Sequence, residues 1–210
     1  MKKYILASFI VLTFIVSVQA QTASEVFTKM PISLMLSLSN SSRLDLLDMQ
    51  KAGKAAIIKN EFGDSCSIEQ LADDYLQLKS GTSSTEIILL PMINDSKVVC
   101  LIQTECAPIC DSRIEFYSTS WKQLDAKAFI NPVNKEWFIK ENVNLDDTTI
   151  YDNYIALSIP LMQFHYDKEK KVLTQTYTTL SYLNVEDREK MDAYLKSEPK
   201  TYQWTLTRFE

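Results

Sequence analysis

EIILLPMINDSKVVCLIQTECAPICDSRIEFYSTSW, residues 86–121, reads as three consecutive strands and holds the densest apolar runs of the chain. Ile87 to Leu90 and Val98 to Ile102 are unbroken apolar stretches, parted by the turn residues Asn94, Asp95 and Ser96. Unbroken runs of this length belong to strands covered on both faces, so the two form a central hairpin. Arg113 to Tyr117 alternates instead, with Ile114 and Phe116 on one face and Arg113, Glu115 and Tyr117 on the other. That pattern marks a strand half open to water and nearer a sheet edge.

Upstream, Tyr75 to Lys79 alternates and opens the same sheet, and Lys54 to Asn60 reads as a strand. Ser67 with Gln70 reads as the cap of a short helical turn. Residues 42–52 are expected to be a helix: Asn40, Ser41 and Ser42 offer caps, Leu44, Leu46, Leu47 and Met49 offer apolar contacts, and Gly53 closes it. Pro31 interrupts the apolar run from Val26 to Leu38, which is therefore an irregular or short helical arm. Downstream, a long connection punctuated by Asn131 and Pro132 marks a boundary. Tyr154 to Tyr166 then reads as a strand displaced around Pro160, Val172 to Leu180 as a strand with one wet face, and Tyr202 to Phe209 as the last strand. Asn184 and Asp187 cap a helix carrying Met191, Tyr194 and Leu195, which Pro199 stops.

The expected class is α+β, with two tandem lobes of helix on antiparallel sheet at residues 21–124 and 125–210, holding separate sheets or one shared sheet. Leu89 to Glu105 and Ile159 to Tyr177 share a layout of strand, proline, polar turn and strand. Duplication explains this, and so does convergent hairpin grammar. The arrangement resembles the β-lactamase-inhibitor type of fold, an analogy of architecture that carries no function.

Met1 to Ala20 has a basic start at Lys2 and Lys3, an apolar run from Ile5 to Val18 and small residues before Gln21. This is the layout of a cleaved secretory signal, and the run is short of the roughly 20 apolar residues a membrane span needs. Gln21, rather than a cysteine, follows the expected cut, so the usual lipoprotein signal is missing. The expected location is periplasmic or secreted, with the mature chain not embedded in a membrane. A net charge of −5 without a block of basic residues offers no source for nucleic-acid binding. Of the four cysteines, Cys106 and Cys110 flank Pro108 closely enough to bridge, and so short a loop contributes about 2 kcal/mol. Cys66 and Cys100 read as buried small hydrophobes or as a second bridge.

Met30-Pro31, Ser39 to Gly53, LADDYLQLKSG at Leu71 to Gly81 and DSRIEFYSTSW at Asp111 to Trp121 together resemble a secreted, Bacteroidales-restricted family known as domain of unknown function 3256. Ile114, Phe116, Tyr117 and Trp121 in that spacing are its clearest marker. The resemblance implies a source group and export, and it supplies no activity or catalytic residue.

Chemistry-bearing patterns are sparse. His165 is the only histidine, so any Ser-His or Cys-His pair must use it, and no Gly-x-Ser-x-Gly elbow is present. The adjacent acids Asp73-Asp74 and Asp146-Asp147 fit no calcium loop and read as solvated caps. No metal site, phosphate loop or dinucleotide fingerprint emerges, and no cofactor is expected. The aromatic set Phe164, Tyr166, Tyr177, Tyr182, Tyr202 and Trp204 is the remaining candidate: spread over the last strands, it would form either core or a sheet face for a protein or envelope component. The expectation is a non-enzymatic binding module with that face as its site. The alternative is a small-ligand or hydrolase site between the lobes, using Asp73, Asp74 or His165.

Overall fold

The computed structural model describes residues 21–144, 146 and 159–210. Among them lies a seven-stranded antiparallel sheet in which sequence order is spatial order: β1 (Ile57–Lys59), β2 (Ser65–Leu71), β3 (Tyr75–Ser80), β4 (Ser83–Pro91), β5 (Lys97–Cys106), β6 (Cys110–Ser118) and β7 (Gln123–Leu124). A three-stranded antiparallel sheet follows, ordered β10 (Lys200–Gln203), β9 (Val172–Tyr177), β8 (Met162–Asp167). The α+β class with antiparallel sheets expected from the sequence is the one the chain adopts.

The β4–β5 hairpin is central, and its apolar runs are unbroken because both faces are covered. Ile87, Leu89, Val99 and Leu101 enter one core with α1 (Ala23–Thr28) and α2 (Asn40–Lys51). Ile88, Leu90, Val98, Cys100 and Ile102 enter a second core with Phe164, Tyr166, Leu173 and Tyr202 of the small sheet. The layers are therefore helices, seven strands and three strands. In β6, Phe116 turns to the inter-sheet core as its alternation predicts, while Tyr117 is buried on the helical side, its ring 5.3 Å from Trp121.

The helical layer is held by an unexpected residue. Ser39 caps α2 through the Ser42 amide, a little ahead of the expected start, and Arg43, Leu46 and Leu47 form its buried stripe. Arg43 is only 1% exposed. Its guanidinium donates to the carbonyls of Phe27, Met30 and Leu38 and lies 5.9 Å from the Phe27 ring. It thereby supplies donors to chain carbonyls where the Pro31 break leaves α1, and burial lowers its pKa.

Three local expectations are corrected. Ser67 to Gln70 is no helical turn but part of β2, because Cys66 and Ile68 alternate into the core, with a bulge between Ile68 and Gln70. Tyr202 to Phe209 is not one strand: β10 ends at Gln203, and Trp204 bridges Phe209 across a tight turn with Leu206 at φ 67°. Of the strand expected over Tyr154 to Tyr166, the described part is strand only from Met162; residues 154–158 lie outside the described residues, as do residues 1–20, where a secretory signal was expected, and Asp147. The helix α3 (Val185–Asp192) is capped by Asn184, which accepts from the Asp187 amide. It packs with Phe138, Tyr177 and Leu195 in a third cluster.

Candidate functional site

The small sheet approaches the large one with the outer edge of β8. Backbone N–H groups on a free strand edge need partners when covered. Side chains of the large sheet provide them: the amide of Met162 donates to Asp111 Oδ1 (3.0 Å), that of Phe164 to Ser112 Oγ (3.0 Å) and that of Tyr166 to Glu86 Oε2 (3.1 Å). Thr178, just past β9, donates to the Cys110 carbonyl at 2.7 Å. The Cys106–Cys110 disulfide, expected from the spacing, closes the β5–β6 hairpin beside these anchors. Cys66 and Cys100 are free and buried.

Glu86 is the one carboxylate buried among the described residues, at 3% exposure. A buried carboxylate is tolerated when donors surround it. Besides the Tyr166 amide it accepts from the Tyr75 hydroxyl (2.9 Å), and its Oε1 lies 3.1 Å from His165 Nδ1. The hydrogen bond to Glu86 raises the His165 pKa against the opposing effect of partial burial. Burial, then the Glu86 charge, pushes the Tyr75 hydroxyl up, so it stays protonated and donating. Cys100, on the same sheet face, is pushed well up by burial and holds a thiol rather than a thiolate. This cluster is built to join two sheets.

Beside this cluster, at the Tyr166 end of the junction, a pocket of about 170 Å³ opens between the sheets. Asp74, Leu90, Pro91, Tyr166, Lys171 and Trp204 line it. The Trp204 indole is fixed by its Nε1, which donates to the Pro91 carbonyl at 2.6 Å, and by edge-on contact with Phe209 at 5.1 Å. Tyr166 buries its ring in the inter-sheet core, and its hydroxyl is pushed up to about 12 by burial and then by the charge of Asp74. Lys171 ends the β8–β9 turn at φ 56°, the left-handed region that side chains seldom occupy. Among the described residues, the Asp74 carboxylate, the Lys171 ammonium and the Tyr166 hydroxyl have no hydrogen-bond or ion-pair partner.

A family model described as "Protein of unknown function (DUF3256)" matches residues 15–209. The chain belongs to this family. No curated protein matches it. It is similar to a solved domain of an uncharacterized protein from Porphyromonas gingivalis W83, with a TM-score of 0.80 and 25% identity over 91% of this chain and 98% of that one. The layered DUF3256 architecture is thus shared between the two over nearly their whole lengths.

Within this DUF3256 chain, the residues singled out from the sequence separate into three groups. Tyr166, Trp204 and Asp74 meet at the inter-sheet pocket. Phe164 and Tyr202 are buried in the inter-sheet core, the Tyr202 hydroxyl donating to Gln175 Oε1 at 2.7 Å, and Tyr177 is buried against Phe138 at 5.7 Å. Only Tyr182 of the aromatic set is displayed, at 69% exposure. Phe164, Tyr166 and Tyr202 are therefore core side chains: among the described residues no α-helix covers the second face of the large sheet, and these rings, with Phe129 and Ile130, supply its cover, while Tyr177 belongs to the third cluster. Asp73 is exposed and stands apart, its carbonyl accepting from the Ala23 amide, and Asp146 is exposed. Glu86 and Lys171 were missed. Glu86 carried a signal, a charge set directly against the apolar run Ile87 to Leu90, whereas Lys171 is indistinguishable in sequence from its neighbours in DKEKK. Among the described residues no group of three or more metal-ligating side chains converges, and no helix is long and apolar enough to cross a membrane.

Proposed function

We propose that this chain is a non-catalytic binding module that holds a small zwitterion, of amino-acid size, in the pocket between its two sheets. The supporting observation is that the Asp74 carboxylate and the Lys171 ammonium, both of exposed residues and neither hydrogen-bonded nor ion-paired among the described residues, line one pocket with a protonated tyrosine hydroxyl and a fixed indole. Asp74 suits a ligand ammonium, which the Trp204 ring also favours; Lys171 suits a ligand carboxylate; Leu90 and Pro91 suit a short apolar side chain. The volume of about 170 Å³ falls below the roughly 300–1,000 Å³ of pockets for drug-sized ligands, which restricts the ligand to a few heavy atoms. A hydrolase reading fares worse, since His165 is engaged by Glu86 and the thiol of Cys100 on that face is fully buried. Export to the periplasm or beyond is part of the proposal; a disulfide at Cys106–Cys110 supports it, because such bonds persist in oxidising compartments.

The test is titration of the isotope-labelled protein with a panel of free amino acids and short dipeptides, following the Trp204 indole N–H resonance. A saturable shift that weakens at least tenfold in both Asp74→Asn and Lys171→Ala is the expected result. A panel that leaves the indole resonance unmoved sinks the proposal, as does binding indifferent to both substitutions.

A further inference from the structure

The opposite face and opposite end of the large sheet carry a second concavity. Beside the β3–β4 turn, residues 33–37 of the connection between α1 and α2 border a groove of about 330 Å³ that no residue of either helix lines. We infer that this groove is a binding site for a neutral saccharide chain, independent of the zwitterion pocket.

Its lining argues the ligand class. Leu34, Met35, Leu36, Leu78 and Phe62 give it apolar surface, Asn60, Asp64, Ser80, Gln103 and Glu105 give it amide, hydroxyl and carboxylate groups, and no lysine, arginine or histidine lines it. Arg113, which donates to the Gln103 side chain, is also paired with Glu115. Two carboxylates without a lining cation disfavour phosphates, nucleic acids and uronic acids through like-charge repulsion. Vicinal sugar hydroxyls, which donate and accept, match these polar groups. Phe62 stands at the rim with 72% of its surface exposed, an aromatic face of the kind that the C–H side of a pyranose ring covers.

The groove is also rigid. Asn60 Oδ1 accepts from the amides of Phe62 and Asp64, each at 2.9 Å, while its Nδ2 donates to Ser80 Oγ at 2.9 Å, so one side chain fixes the turn that carries both the ring and a carboxylate. Gln103 Nε2 donates to the Leu34 carbonyl at 2.9 Å and holds that connection in place. Ser83 donates to Glu105 and orients that carboxylate. Gly81 lies against Asp64: a Cβ there would come within 3.3 Å of its carboxylate. Preorganisation of this kind is what lets polar groups bind a well-hydrated ligand. A peptide strand is the poorer fit, since β2 to β5 beneath the groove are paired on both sides and leave no edge to extend.

The experiment is isothermal titration of the full chain with neutral oligosaccharides (gluco-, galacto- and manno-series), an oligogalacturonate and a lysine-rich peptide, repeated with Phe62→Ala, Glu105→Gln and Lys171→Ala. Expected is binding of at least one neutral series, weakened tenfold or more by Phe62→Ala and by Glu105→Gln, unchanged by Lys171→Ala, with no binding of the uronate. Phe62 is exposed, so its variant folds, and an unchanged thermal midpoint verifies this. Binding of none of the neutral sugars overturns the inference, as does preference for the uronate or the peptide, or neutral-sugar binding that survives both groove substitutions. The zwitterion pocket is untouched by any of these outcomes.

Discussion

Ile87 and Ile88 are neighbours in β4 and equally buried, yet they belong to different interfaces. Ile87 faces the helical layer, whose elements satisfy most of their own backbone and are tied to the large sheet at scattered points, by the Trp121 indole on the Val26 carbonyl, the Gln103 amide on the Leu34 carbonyl and the Ala23 amide on the Asp73 carbonyl. Ile88 faces the small sheet, whose leading edge β8 arrives with unpaired amides that Asp111, Ser112 and Glu86 must meet. The one buried charge of the helical side among the described residues, Arg43, serves carbonyls within its own layer. On the sheet side the crossing bonds form a row on alternate amides of one strand edge and include a buried carboxylate. A cover of helices needs only scattered crossing hydrogen bonds, whereas a cover of strands needs a row of them along its leading edge, which is why the crossing polar cluster around Glu86 lies on the second side.

The largest effect expected from this contrast is at Arg43. Arg43→Met keeps the length of the side chain and leaves the carbonyls of Phe27, Met30 and Leu38 without its donors, at a cost of roughly 3–5 kcal/mol by the penalties for orphaned buried groups. Urea denaturation measures it. A loss below about 1 kcal/mol would show that the arm between α1 and α2 repacks without the guanidinium.

Ile87→Ala and Ile88→Ala sharpen the comparison directly. Each removes a fully buried side chain and costs about 3 kcal/mol. Global stability does not separate them, but native-state hydrogen exchange does: Ile87→Ala is expected to lower protection in α2 first, Ile88→Ala in β8 and β9 first. Identical exchange patterns would mean that the two covers open together and that the layers are not separate cooperative units.

Much of this architecture was legible. The doubly covered β4–β5 hairpin announced itself through unbroken apolar runs, and the caps Ser39 and Asn184 lie within or beside the polar clusters that mark helix starts. The relation of the two sheets was not legible, because period-2 alternation tells that a strand has a buried face and not what buries it. Phe164, Tyr166 and Tyr202 look the same in sequence whether they cover a neighbouring sheet or await a partner. The pocket was half legible: Tyr166, Trp204 and Asp74 were each noticed, for separate reasons, and only the packing of the sheets brings them together with Lys171.

Removal of the disulfide tests the sheet side more gently. The loop between Cys106 and Cys110 is so short that its closure contributes about 2 kcal/mol. Because Cys110 starts β6 beside Asp111 and Ser112 and accepts from Thr178, the Cys106→Ser/Cys110→Ser pair is expected to reduce exchange protection at the amides of Met162 and Phe164 while leaving α2 unchanged. Equal loss on both faces would place the bond in the global fold rather than in the sheet junction.

The smallest effect is the pH dependence carried by His165. Its pKa is raised in the folded chain, foremost by the hydrogen bond to Glu86, with Asp167 adding in the same direction and desolvation opposing. The protonated ring therefore favours the folded state: this stabilisation is complete below the unfolded histidine value of about 6.5 and disappears as pH rises through the folded value. Half of the His165 side chain meets solvent, which screens the pair and keeps the contribution well under ~1 kcal/mol. The stability difference between wild type and His165→Gln, measured from pH 5 to 9, is expected to favour wild type on the acid side and to shrink towards neutral and alkaline pH. Glu86→Gln should flatten that difference, since the neutral amide keeps the shape at the junction and removes the charge. Arg43, the buried charge of the helical side, keeps its charge throughout this range, so a pH-dependent loss of protection confined to β8 would assign the effect to the inter-sheet junction.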